Sequence, residues 1–161
     1  MFRISRGKIS KAYEHIAKLV DDELISCLLG FIARDSSKHA ECFNLIGKWL
    51  SGNIGADFEI CEQVWGETWK TIVVDAENFL SKREMRSGDL VLLISGLMKI
   101  ESFVAEEYLT MLHVKLVELM AEGRKTDLGH FKKVLEWIAE DEKRHQEILN
   151  IIKGLLVEKR K

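Results

Sequence analysis

The chain has 161 residues, of which 47% are hydrophobic and 31% charged, with a formal net charge of -2; it can bury one sizeable core and has neither a disordered nor a fibrous composition. The charge balance predicts no electrostatic drive toward nucleic acid, and no apolar run reaches the roughly 18 residues of a membrane span. Three cysteines without a CxxC spacing argue against a disulfide framework or a thiolate zinc site, and the first residues lack the apolar stretch of a secretion signal, so a cytoplasmic location is expected.

The sequence contains no proline, which removes the commonest helix stop and predicts long helices with few turns. A first segment runs from about Ser5 to Val20, with Phe2, Ile9, Tyr13, Ile16 and Val20 recurring at helical steps. Asp21 and Asp22 offer N-cap chemistry to a second segment that continues to about Leu50 through Ile25, Leu28, Leu29, Ile32, Phe43 and Ile46. These two segments predict an antiparallel hairpin over 5–50.

Residues 51–55 read Ser-Gly-Asn-Ile-Gly and break the pattern. A crossover helix is expected over about 57–83, with Cys61, Val64, Trp65, Trp69, Ile72 and Phe79 on its apolar face. Trp65 and Trp69 are four residues apart and read as core or oligomer contact rather than as a cofactor box. Because a helix added to a complete bundle must bury its stripe somewhere, a homodimer is expected.

Ser87, Gly88 and Asp89 restart the chain into a long segment reaching Glu122, whose stripe carries Leu93, Ile94, Leu97, Val104, Tyr108 and Leu112. Gly123 suits its C-cap, and Thr126 or Asp127 can cap a last helix that runs toward Glu158. The second hairpin therefore spans 89–158. No stretch alternates with period two, so the fold class is all-α in a single domain. Two hairpins joined by one long crossover make a four-helix bundle of the ferritin-like kind, since an up-and-down bundle needs only short loops.

Chemistry enters where polar residues occupy the apolar stripe. On the last helix the stripe steps from Ile138 to Leu149, and the helical repeat places Glu142 and His145 between them. Glu and His at i, i+3 project side by side, so one helix can offer a carboxylate oxygen and an imidazole nitrogen to the same ion. An isolated ExxH in a charged helix is common by chance; its place on the stripe is what distinguishes this one.

Residues 28–46 also resemble residues 134–152, pairing Ile32 with Ile138, Ala33 with Ala139, Asp35 with Asp141, His39 with His145, Glu41 with Glu147, Asn44 with Asn150 and Ile46 with Ile152. This is the mark of an internal duplication. Anchoring the first helix of each hairpin on its tyrosine, Glu101 stands seven residues before Tyr108, as Arg6 stands seven before Tyr13. The inward polar set is then Arg6, Ser36, His39, Glu101, Glu142 and His145. Buried carboxylates cost several kcal/mol each unless protonation, an ion pair or a metal neutralises them.

Across the four main helices the sequence resembles the ferritin-like superfamily, most closely its rubrerythrin-like branch. The resemblance implies a bundle in which each hairpin supplies a glutamate from its first helix and an ExxH from its second, holding two iron or manganese ions. Glu101, Glu142 and His145 match one half of that pattern. By the same resemblance, Asp35 and Asp141 would accept hydrogen bonds that orient the histidines. The first half departs from the pattern, because Arg6 stands at the glutamate position and Ser36 where ExxH begins. His39 alone survives there, leaving Glu101, Glu142, His145 and His39 as the expected ligands.

Two functions stay open on this reading. One is a redox-active metal protein acting on oxygen or peroxide, with iron or manganese, or zinc by ligand chemistry, as one ion rather than two. The other is a metal-free bundle in a structural or interaction role, with Arg6 neutralising the core carboxylates. No phosphate loop, nucleophile elbow or Cys-His pair points to another enzyme class.

Overall fold

The computed structural model describes residues 2–51, 74, 77–84, 89–99, 101–102 and 129–158. The chain is all-α: the described residues are helical apart from short turns, and they include no strand. None of the described helices is long and apolar enough to cross a membrane. The chain divides into two compact units, Met1–Arg86 and Ser87–Lys161.

In the first unit, helix α1 spans Phe2–Leu19 and helix α2 spans Glu23–Ser51. Helix α1 starts three residues earlier than its apolar period suggests and ends one residue before Val20, which lies half-buried in the turn. The turn is built around Asp22. Its Oδ1 accepts the backbone N–H of Ile25 at 3.0 Å, the N-cap bond that satisfies one of the orphan donors of α2. Its carbonyl accepts the N–H of Ser26 at 2.8 Å and so opens the α2 ladder.

Two serines fix how α1 and α2 lie together. The Ser26 hydroxyl donates to the carbonyl of Ala17 at 2.7 Å, and the Ser10 hydroxyl donates to the carbonyl of Ala33 at 2.9 Å. Both pairs of residue numbers add to the same total, 43, so the helices run antiparallel in a single register. Between these bonds the apolar faces close: Ile9, Ala12, Tyr13, Ile16 and Ala17 from α1, and Ile25, Leu29, Ile32 and Ala33 from α2 are buried. Their steps of three and four residues are the helical stripe that drives the packing. Leu28 and Ile46, expected on that stripe, are only half-buried.

Of the expected crossover helix, residues 77–81 are described as helical. They lie against α1, where Lys8 pairs with Glu77 and the His15 Nε2 lies 2.6 Å from the carbonyl of Lys82. The ion pair is exposed and contributes little, about 0–1 kcal/mol. Cys61, Trp65 and Trp69 lie outside the described residues, as do Gly123, Thr126 and Asp127.

In the second unit, residues 89–99 are helical and bury Leu90, Leu93, Ile94 and Leu97. Helix α3 spans Gly129–Glu158 and buries Ile138, Ala139, Ile148, Leu149, Ile152 and Leu156. The duplicated stretches share more than sequence. Positions 32, 33, 36 and 39 are buried, as are 138, 139, 142 and 145, whereas 34, 37, 38 and 41 are exposed, as are 140, 143, 144 and 147. The two copies therefore present the same face to their cores.

The Asp22→Ala substitution should lower stability by about 1 kcal/mol through loss of the α2 cap. Asp22→Asn, which keeps the acceptor, should retain most of it. Urea unfolding followed by circular dichroism measures both.

Candidate metal centre

Glu101 lies one helical turn beyond Leu97 on the buried side of its helix. On α3 the buried sequence Ile138, Glu142, His145, Leu149 keeps the steps of four, three and four that an inward stripe requires. Helical periodicity alone thus brings three titratable side chains inside, and Glu101, Glu142 and His145 are each 0% exposed.

Their functional atoms converge. The His145 Nδ1 lies 3.4 Å from Glu142 Oε2 and 3.5 Å from Glu101 Oε2, and one ligand atom from each of the three residues falls within 4.8 Å of the others. Charge-assisted N–H···O bonds prefer about 2.7–2.9 Å, so these contacts are longer than good hydrogen bonds. They are instead close to a coordination edge. Ligand atoms about 2.1 Å from a common ion sit about 3.4 Å apart in a tetrahedron and about 3.0 Å apart in an octahedron. Two carboxylates and one imidazole suit a divalent cation of hard or borderline character, so the residues present fit a metal.

The electrostatics without an ion follow from the same geometry. Burial alone pulls the His145 pKa down, but hydrogen bonding and charge from Glu101 and Glu142 outweigh it and raise the value to about 9. With both carboxylates charged, the ion-free centre would hold the proton on His145 at neutral pH. A proton and a metal ion therefore compete for His145.

No family model, characterised protein or solved structure matches this chain.

The residues expected from the first half lie in the first unit. Ser36 and His39 are buried on α2, at the positions that correspond to Glu142 and His145. The register of the α1–α2 hairpin sets position 6 level with position 37, within one turn of both. The Arg6 side chain lies outside the described residues.

Asp35 and Asp141 have surface-side partners that sequence reading did not identify. Lys38 Nζ meets Asp35 Oδ1 at 2.7 Å, and Arg144 Nη1 meets Asp141 Oδ1 at 2.8 Å. Both cations stand three residues after their aspartate, at the same place in each repeat, and that spacing was the available signal. His130 is exposed and His15 half-buried, in keeping with the surface or boundary places expected of them, while His113 lies outside the described residues.

A raised histidine pKa gives a definite sign to the pH dependence. The stabilisation from protonated His145 is fully present below about 6.5, the unfolded value, and is lost as pH rises through about 9. Chelator-treated protein should therefore lose stability from about pH 7 to pH 9. The His145→Gln variant should show a flatter profile over that window in urea titrations at stepped pH.

Proposed function

We propose that the protein is a ferritin-like helical bundle that binds one divalent metal ion through Glu101, Glu142 and His145. The observation that carries this reading is the convergence of two buried carboxylate oxygens and one imidazole nitrogen at coordination-edge distances. Iron or manganese suits the oxygen-rich donor set, and zinc is compatible with it. The chain is similar to the rubrerythrin-like branch in pairing a glutamate on one helix with ExxH on the next, and differs from it at Arg6 and Ser36. Those two substitutions remove ligands for a second ion, so a single ion is expected.

A redox-active ion held there would supply electron transfer to a small oxidant such as oxygen or peroxide. The protein's own contribution is separate from that chemistry. Glu101 and Glu142 provide negative charge, His145 provides a nitrogen donor that must first lose its proton, and Leu97 and Leu149, one turn away on the same stripes, keep the surroundings apolar. Asp35 and Asp141 would restrain the backbone turns that carry the two histidines, each held by its own cation.

The raised pKa of His145 favours a second reading. An imidazolium can neutralise the two carboxylates without any ion, which would make the bundle a metal-free structural or interaction protein. In that case the histidine fills the role that the sequence suggested for Arg6.

Elemental analysis of protein purified without chelator separates the two. Metal binding predicts about one ion of iron, manganese or zinc per chain, lost in Glu142→Ala and Glu101→Ala while helicity by circular dichroism is retained. Reloading stripped protein should release protons as the ion displaces the one on His145. Protein that emerges empty and takes up none of these ions on reloading would leave only the metal-free reading.

A further inference from the structure

The side of α2 that faces away from its core carries a second pattern. Leu24, Phe31, Lys38 and Leu45 recur every seven residues, so they drift by only about 20° per step and form one outer stripe. All four are exposed; Leu24 and Leu45 are the most open of the apolar three, at 55% and 65%. Single exposed hydrophobic residues are ordinary, but a stripe of them along about 30 Å of helix is not.

The duplication supplies an independent observation. In the matched stretch of α3, Trp137, Arg144 and Ile151 stand at the places of Phe31, Lys38 and Leu45, and all are exposed. Neighbouring solvent positions have diverged, Arg34 becoming Glu140 and Ser37 becoming Lys143. The outward order of aromatic, cation and aliphatic residue is thus present in both copies, its cation paired with Asp35 in one and with Asp141 in the other.

The order of residues selects the occupant. Read against its own reverse, the α2 stripe matches itself: Leu24 falls opposite Leu45, and Phe31 opposite Lys38. A parallel pairing would instead set Lys38 against Lys38 and align the helix dipoles unfavourably. We propose that the outer face of α2 is a twofold interface with a second copy of this chain, the two helices running antiparallel. Each interface then contains two leucine pairs and two lysine-on-phenylalanine contacts, in the self-complementary form that a twofold dimer requires. The stripe of α3 lacks this closure, because exposed His130 stands at the place of Leu24.

The same register sets Cys27 level with Cys42 of the partner subunit. Cys27 is exposed and Cys42 half-buried, and both are free thiols. Like-to-like pairs, Cys27 with Cys27 or Cys42 with Cys42, would be about 22 Å apart along the axis.

Sedimentation equilibrium of the full chain should show a dimer, and Leu24→Glu and Leu45→Glu should each weaken it about tenfold or more, since each buries an uncompensated charge against a leucine of the partner subunit. Helicity and metal content should not change, which keeps this test separate from that of the metal centre. In a Cys61→Ser background, a short bis-maleimide should link the dimer, and either Cys27→Ser or Cys42→Ser should abolish the link. A monomer at high micromolar concentration would overturn the proposal. So would a dimer unaffected by both glutamate variants, one dissociated by Trp137→Glu alone, or a link that survives loss of either cysteine.

Discussion

A carboxylate taken out of water must be neutralised by its own proton, an ion pair or a metal, and in the second unit of this protein that requirement falls on two carboxylates at once. Glu101 and Glu142 are fully buried on stripes otherwise made of leucine and isoleucine. Hydrophobic packing places them, because the helical repeat that sends Leu97, Ile138 and Leu149 inward leaves no other direction for the residues between. The same packing brings His145 between them. What neutralises the carboxylates, a proton on the imidazole or an ion coordinated by all three, would therefore set both the stability of this unit and its chemistry.

The second half of the site was legible in the sequence because its signal is periodic. Glu142 and His145 interrupt an apolar stripe at positions that can only face inward, and Glu101 was found by comparing each hairpin from its tyrosine; all three are buried together. Helix ends were less legible. Asp22 announced itself as a cap by its chemistry, but Phe2, at the very start of the chain, gave no stop or start signal, and α1 extends to it. The lysine and arginine partners of Asp35 and Asp141 went unread because an i, i+3 pair on an exposed helix face is too common to stand out.

The duplication shows which constraints outlast others. Between 28–46 and 134–152 the inward positions kept their burial, whereas the chemistry at the inward polar positions split, Ser36 against Glu142 with His39 and His145 in common. Serine at position 36 needs no counter-ion, so the first copy no longer requires a cation at that level for the sake of α2. Glu101 and Glu142 in the second unit must by contrast be neutralised by a proton, an ion pair or a metal.

That asymmetry bears on how the centre can work. An ion bound by Glu101, Glu142 and His145 would have to displace a proton from the histidine, and acid conditions would favour its return. The three residues that make the core of this unit costly to build are the same three that would make it responsive to metal supply.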